Sequence, residues 1–154
     1  MSYIKAKIDF EGEGVAVEAK EGGEGKIFVD TDDELVDYTF LSFHFHSPSE
    51  HTFDTYHYDA EAHFVFVNKE MPDELLYLAV LFDTDSDHWH ASEKLFENFD
   101  FEAWEEWEKE EETRKSIKID LRHFFELLDD KSYWHYEGSE TIPPCREGVQ
   151  WYVI

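Results

Sequence analysis

The chain has 154 residues, of which 42% are hydrophobic and 18% aromatic, and this apolar content is enough for one globular domain over residues 1–154. Its 38 acidic and 13 basic side chains give a formal net charge of -25, which would repel nucleic-acid phosphates and anionic membrane surfaces. Composition therefore excludes nucleic acid as an expected partner.

The apolar stretches are short and interrupted, and the N-terminus lacks the sections of a signal peptide. Cys145 is the single cysteine, so the chain cannot form an internal disulfide. We expect a soluble protein that inserts into no membrane and lies in the cytoplasm.

The first half of the chain is typical of strands. Alternating apolar and polar residues predict short strands at 3–10 and 15–18, separated by glycine-rich turns. Segments 36–46, 61–67 and 75–82 are richer in aromatic, β-branched or continuously apolar residues, so they are predicted as core strands.

The pattern changes after residue 83. Helices are predicted at 92–99 and 121–128, an acidic helix or extended surface segment at 101–114, and a last strand at 149–154. These elements predict a mainly β (α+β) fold with a central twisted, mostly antiparallel sheet and a few short surface helices.

Three histidines have the spacing of a metal site. Side chains alternate along a strand, so His44 and His46 share one face while Phe43 and Phe45 occupy the other. A neighbouring strand would add His63 as a third imidazole, which leaves the fourth position of a zinc ion open for water. The alternative interpretation is that His-x-His is a chance pattern within a strand.

Acidic loops allow a different interpretation, an acidic binding module adapted to calcium or salt. Residues 30–34 are acidic, and 83–90 faintly resemble a calcium loop but lack its glycine and its distal glutamate. We interpret 83–90 as a solvated turn. A calcium titration that leaves the melting temperature unchanged would exclude the binding module.

Two blocks resemble the alpha-class carbonic anhydrases. One is Phe-His-Phe-His-Ser-Pro-Ser-Glu-His-Thr at 43–52 with Asp-Ala-Glu-Ala-His-Phe-Val at 59–65. The other is Tyr-Trp-His-Tyr-Glu-Gly-Ser-Glu-Thr-Ile-Pro-Pro at 133–144, followed by Glu147 and Trp151. The resemblance implies an alpha-carbonic-anhydrase-like fold, shortened at both ends, and zinc-dependent reversible hydration of carbon dioxide to bicarbonate by a metal-bound hydroxide.

The resemblance also implies roles for individual residues. His44, His46 and His63 would be the ligands of Zn2+, and Thr141 and Glu50 would orient the hydroxide. The residues that support the ligands would be Glu61, Ser42, His51 and Tyr136, with Glu61 orienting His63. The walls of the substrate pocket would be Val65, Leu78, Glu140, Ile142, Val149 and Trp151.

Several positions depart from the family pattern. Val15 stands where a proton-shuttling histidine is usual, and Ser42 replaces a glutamine that supports the first ligand. Glu140 replaces a bulky apolar residue of the pocket wall, and Ile142 a small polar one. The Glu140 carboxylate would raise the pKa of the zinc water, obstruct the pocket, or turn outward as a substitute proton acceptor.

The family domain is longer than this chain, and the segments without a counterpart here normally cover part of the core. Their loss would expose apolar surface and sheet edge, so we expect a homodimer or a subunit of a larger assembly. The expected small-molecule partners are carbon dioxide and bicarbonate. The alternative function is a weakly active or inactive carbonic-anhydrase-like structural or interaction subunit, in which zinc only braces the sheet.

Overall fold

The computed structural model describes residues 4–9, 16–19, 26–30, 35–83, 116–119 and 132–154. The described strands are β1 (Ile4–Asp9), β2 (Ala16–Ala19), β3 (Lys26–Asp30), β4 (Leu35–His46), β5 (Thr52–Phe53), β6 (Tyr56–His57), β7 (Ala60–Asn68), β8 (Leu75–Phe82), β9 (Ser116–Ile119), β10 (Trp134–Ser139) and β11 (Glu147–Val153). The predicted helices at 92–99, 101–114 and 121–128 lie outside the described residues.

Within the described residues, a 9-stranded sheet runs in the order β10-β11-β8-β7-β4-β2-β1-β9, and β3 pairs with β4. The pair β11 and β8 is parallel, and the other described pairs are antiparallel. Strands β5 and β6 form a separate small hairpin. The prediction of a mainly β fold with a mostly antiparallel sheet is confirmed.

A β-bulge in β4 decides which side chains face the histidines. Phe40 pairs with Phe66 and Ser42 pairs with Val65, so Leu41 is an extra residue, and it is 44% exposed. An extra residue reverses the alternation of the strand beyond it. The even-numbered residues after the bulge therefore occupy the face opposite to that of Phe40.

The face opposite to the histidines is a phenylalanine cluster. The ring of Phe43 lies 6.4 Å from that of Phe40 and stacks on that of Phe64 at 5.3 Å. The rings of Phe40 and Phe66 meet edge to face at 5.6 Å. Edge-to-face and stacked contacts of this kind stabilise a core beyond the area they bury, so the cluster fixes β4 against β7.

The histidine face has an apolar cluster of its own. It consists of Val65, Leu75, Tyr77, Ala79, Val149, Trp151 and Val153, drawn from β7, β8 and β11. Both faces of β7 and β8 are therefore largely buried, which explains the nearly continuous apolar sequence of β8. Among the residues that the structure describes, no helix has the length and apolar character needed to cross a membrane.

Candidate metal centre

The sheet brings His44, His46 and His63 together. His44 of β4 lies directly opposite His63 of β7 in the antiparallel register. The ring of His44 is 5.0 Å from that of His46 and 5.1 Å from that of His63, and the rings of His46 and His63 are 4.6 Å apart. One nitrogen from each imidazole lies within 4.8 Å of the other two, as a shared metal ion requires.

Two of these imidazoles present unsatisfied nitrogens. Among the described residues, the buried atoms Nε2 of His46 and Nδ1 of His63 have no hydrogen-bond partner. A buried polar atom without a partner costs about 1–3 kcal/mol. A bound cation would satisfy both nitrogens at once, so the donor set fits zinc.

His44 and His46 are neutral at physiological pH. Burial lowers the pKa of His44 to about 3, and positive charge on His63 or His46 would lower it further. Burial and the neighbouring His63 also lower the pKa of His46. Metal ligation needs the unprotonated imidazole, so His44 and His46 are already in their binding form near neutral pH.

A buried carboxylate behind His63 fixes its orientation. Nε2 of His63 donates to Oε1 of Glu61 at 2.6 Å, which leaves Nδ1 as the nitrogen that faces the other histidines. Glu61 also accepts hydrogen bonds from the backbone N of His51 at 2.8 Å and from its Nδ1. Burial would raise the pKa of Glu61, but these hydrogen bonds outweigh it and hold the pKa well below its usual range.

Tyr136 completes this network from β10. Its hydroxyl donates to Nε2 of His51 at 2.7 Å, because Nδ1 of His51 is the donor to Glu61. Burial and the charges of Glu61 and Glu50 raise the pKa of Tyr136 to about 12, so the phenol keeps its proton. Glu61 thus contacts His63 directly, and His51 and Tyr136 extend the network behind it.

Three predicted residues, Glu50, Thr141 and Ser42, lack the expected hydrogen bonds within the described residues. Oε2 of Glu50 lies 3.6 Å from Nε2 of His46 and 4.0 Å from Nδ1 of His63. Thr141 is exposed after β10, and in the described part of the chain no hydrogen bond joins it to Glu50. Ser42 likewise has no hydrogen bond to a histidine within that part. The roles of these residues stay predictions.

Apolar side chains border the histidines on one side. Val65, Val149 and Trp151 are at most 3% exposed and belong to one cluster. The ring of Trp151 lies 4.8 Å from that of His63. Ile142 is 54% exposed in the loop after β10, so it does not share this buried wall.

The expectation for Leu78 is wrong. Leu78 pairs with Phe64 in the antiparallel register, so its side chain lies on the phenylalanine face. Tyr77, which pairs with Val65, is on the histidine side instead, and its ring lies 6.0 Å from that of His63. Because both faces of β8 are buried, its sequence does not reveal which residues face the histidines.

Glu140 is buried and paired, which excludes the outward orientation considered for it. Its side chain is 7% exposed and accepts from Arg146 twice, from Nη2 at 2.8 Å and from Nε at 2.9 Å. The hydroxyl of Tyr77 donates to the same carboxylate at 3.3 Å. The hydrogen bonds from Arg146 lower the pKa of Glu140, so it is a poor proton acceptor near neutral pH.

Tyr77 and Arg146 were not predicted as site residues from the sequence. Arg146 is the only Lys or Arg after Lys131, and it lies on the same proline-containing turn as Glu140. A buried carboxylate needs a partner, so this isolated basic residue was the available signal. Tyr77 gave no comparable signal, because an aromatic residue in a central strand is ordinary core.

The Glu140–Arg146 pair predicts a pH-dependent stability. The folded-state pKa of Glu140 is below its ordinary value of 4.5, so the pair stabilises the fold above about pH 4.5 and the stabilisation disappears as the pH falls through the lowered value. Arg146 is 53% exposed, so we expect only about 1 kcal/mol at neutral pH. The melting temperature of Glu140→Gln should lie below that of the wild type at neutral pH and approach it in acid.

Thermal unfolding followed by circular dichroism between neutral and acidic pH measures this difference. Glu147→Gln removes an exposed carboxylate from the same end of the sheet and serves as the control, with no pH-dependent difference expected. If the difference in melting temperature between the wild type and Glu140→Gln stayed constant across the acid range, the pH-dependent stability would not come from the Glu140–Arg146 pair.

Gly138 allows two aromatic rings to approach the backbone of β10. A Cβ atom at this position would lie 2.9 Å from Cε2 of Tyr136 and 3.2 Å from Cδ1 of Trp151, whose rings stack at 6.1 Å. Gly138→Ala is therefore expected to lower the free energy of unfolding by about 1–3 kcal/mol and to displace Tyr136 from His51. Urea unfolding measures the loss, with the exposed Glu137→Ala as control. Equal stability of the two variants would refute the expectation.

Three converging imidazoles, one of them held from behind by a buried carboxylate, are the type of donor set that can bind zinc with an open position. The profile of the eukaryotic-type carbonic anhydrases matches residues 2–154, and the chain belongs to this family.

Similar proteins agree with this assignment. The chain is 35% identical to a carbonic anhydrase of Klebsiella pneumoniae over 108 residues, which are 70% of this chain and 39% of that protein. The structure of an alpha-carbonic anhydrase of Thermovibrio ammonificans with the inhibitor sulfanilamide superposes with a TM-score of 0.69 at 29% identity, over 100% of this chain and 60% of that one.

Dioscorin, solved in complex with ascorbate, superposes with a TM-score of 0.71 at 26% identity, over 99% of this chain and 58% of that one. In all three comparisons the chain spans less than two thirds of the length of its relative.

Proposed function

We propose that this chain catalyses the reversible hydration of carbon dioxide to bicarbonate with a zinc ion held by His44, His46 and His63. The observation that carries the proposal is the convergence of three imidazoles, two of which present buried nitrogens without a partner in the described residues. Membership in the carbonic anhydrase family supports the same reaction.

The first role of the protein is to orient the histidine ligands and keep their metal-binding nitrogens unprotonated. Zinc in such a site lowers the pKa of water to about 7, as it does in carbonic anhydrases generally, and so supplies a nucleophile near neutral pH. Glu61 holds His63 in the tautomer that presents Nδ1, and its negative charge increases the basicity of that ligand. The low pKa of His44 keeps its nitrogen available down to acidic pH.

The substrate side of the site is apolar, as an uncharged substrate such as carbon dioxide requires. Val65, Val149 and Trp151 form a buried wall beside His63, which would exclude competing water from that side. We propose that Thr141 and Glu50 fix the orientation of the attacking oxygen. The carboxylate of Glu50 lies on the histidine side, within 4.0 Å of His63 Nδ1, which is compatible with this role.

Turnover also needs a proton to leave the site. Val15, at the position where the family usually has a shuttling histidine, lies outside the described residues and cannot carry a proton. We therefore expect external buffer to accept the proton, and the rate to rise with buffer concentration.

Stopped-flow measurement of carbon dioxide hydration on zinc-loaded protein tests the proposal. The rate should increase with pH between about pH 6 and 9, as a group with a pKa near 7 requires. His44→Ala, loaded and measured in the same way, is the control and should give only the uncatalysed rate. A wild-type rate no higher than that of His44→Ala would refute the proposal.

A second candidate is a structural or interaction subunit in which zinc braces the sheet without catalysis. One observation favours it: the buried Glu140–Arg146 pair, at a position where the family has an apolar pocket wall. This candidate predicts one zinc per chain, a higher melting temperature with zinc, and no hydration activity.

We further propose that two copies of this chain associate through the aromatic surface at β10. Tyr133 and Trp134 are 59% and 67% exposed, and in the described part of the sheet β10 is an edge strand. Analytical ultracentrifugation at micromolar concentration should show a dimer that Trp134→Glu converts to a monomer. A wild type that sediments only as a monomer would refute association.

A further inference from the structure

The loop between β10 and β11 is closed by its two ends. The backbone N of Glu140 donates to the carbonyl oxygen of Arg146 at 2.9 Å, and the backbone N of Arg146 donates to Oε2 of Glu140 at 3.3 Å. The guanidinium of Arg146 adds its two bonds to both oxygens of the same carboxylate. Such a bidentate, charge-assisted pair holds one geometry more firmly than a single hydrogen bond does.

The same carboxylate ties the loop to the centre of the sheet. Oε1 of Glu140 accepts the hydroxyl of Tyr77, a residue 4% exposed in β8. The ring of Tyr77 packs at 4.6 Å on that of Trp151 and at 6.0 Å on that of His63. With its hydroxyl bonded to Glu140, Tyr77 presents its apolar ring to the histidines.

Thr141 depends on this loop for its position. Within the described residues its side chain has no hydrogen bond, so the backbone of the loop alone places it. Cys145 has a φ of 58°, in the left-handed region that a residue with a side chain enters at a cost of order 1 kcal/mol. Such a conformation persists when surrounding contacts enforce it, and Glu140 and Arg146 bracket the segment.

We propose that Glu140 and Arg146, together with the hydroxyl of Tyr77, form a clamp that holds the Tyr77 ring beside the histidine centre and fixes the loop that carries Thr141. The inference rests on the proposed function. It makes Glu140 and Arg146 positioning residues, which act on the reaction through Thr141 and Tyr77 without touching substrate. In this proposal the Glu140 carboxylate holds the loop in place, and Arg146 neutralises its charge.

A double-mutant cycle in the zinc-loaded protein tests the clamp by its effect on turnover. Glu140→Gln and Arg146→Met should each lower kcat roughly 10- to 100-fold, as a displaced orienting group does, while the zinc content stays at the wild-type level. The double variant should be no slower than the slower single variant, because both changes break one unit. Glu147→Gln, which removes the same charge from the start of β11, should keep wild-type kcat.

A second readout reports the loop without any catalysis. Cys145 is exposed and is the single cysteine of the chain, so a trifluoromethyl label there gives a fluorine NMR signal from within the loop. We expect one narrow line in the wild type and in Glu147→Gln, and a broadened or split line in Glu140→Gln and Arg146→Met.

The two readouts separate this inference from the proposed function. An active wild type whose kcat and fluorine line are both unchanged by Glu140→Gln would overturn the clamp and leave the function standing. An inactive wild type would overturn the function, and the fluorine lines would still decide whether the clamp orders the loop. Additive losses of kcat in the double variant would overturn the clamp as a unit.

Discussion

His63→Ala is expected to remove zinc binding from the folded protein. The substitution deletes the imidazole that the sheet register places opposite His44. Loss of a residue that only hydrogen-bonds a ligand weakens metal affinity by up to roughly 100-fold, so loss of the ligand itself should weaken zinc affinity by more than that. Equilibrium dialysis followed by metal analysis measures the zinc content, which should fall from about one per chain to nearly none.

His135→Ala provides the matched control, because His135 is exposed, stacks on Tyr152 and donates a hydrogen bond from Nε2 to Oε1 of Gln150, near the start of β10. It should keep the wild-type zinc content. Loss of zinc from both variants, or from neither, would contradict a centre built on His63.

Glu61→Ala is expected to lose both stability and metal affinity. It leaves the buried Nε2 of His63 and two donors of His51 without their acceptor, and removing one partner of a buried charged network costs about 3–5 kcal/mol. Zinc affinity should fall roughly 10- to 100-fold, because His63 is then no longer held in one tautomer.

Glu61→Gln separates charge from shape. The glutamine amide fills the same volume as the carboxylate, but its NH2 group cannot accept a hydrogen bond. The donors of His63 and His51 all need acceptors, so Glu61→Gln should lose nearly as much stability as Glu61→Ala. Urea unfolding and competitive zinc titration measure the two effects, with the exposed Glu137→Gln as control. A Glu61→Gln variant with wild-type stability and zinc affinity would refute the role of the carboxylate.

Periodicity predicted most of the strands that position the centre. The prediction at 75–82 coincides with β8, that at 36–46 begins one residue after β4 does, and that at 61–67 is one residue shorter than β7 at each end. These segments concentrate β-branched and aromatic residues, and their burial in the sheet agrees with that propensity. The alternation of side chains along β4 was enough to place His44 and His46 on one face.

The segments that were not predicted are short or lack an apolar pattern of their own. Strand β3 and strand β9 are four or five residues long, and β10 is mostly exposed along its length. Such strands owe their conformation to the neighbours they pair with. The bulge at Leu41 could not be predicted either. It shifts the pairing register of β4 by one residue, and the hydropathy pattern of the strand does not show such a shift.

The error at Leu78 and the omission of Arg146 have different origins. A strand buried on both faces has no polar side. The sequence pattern therefore does not show whether Tyr77 or Leu78 faces the histidines. The pairing of Glu140 with Arg146 depends on the path of a turn, which brings together two residues that the sequence leaves six positions apart.

The central claim is that zinc on the three histidines makes this chain a catalyst of carbon dioxide hydration. The most direct test removes metal with a chelator and then follows stopped-flow hydration while zinc is added back in steps. The rate should rise linearly and stop rising at one zinc per chain, and it should stay at the background level in His63→Ala. A rate that does not respond to zinc, or that responds equally in His63→Ala, would contradict it.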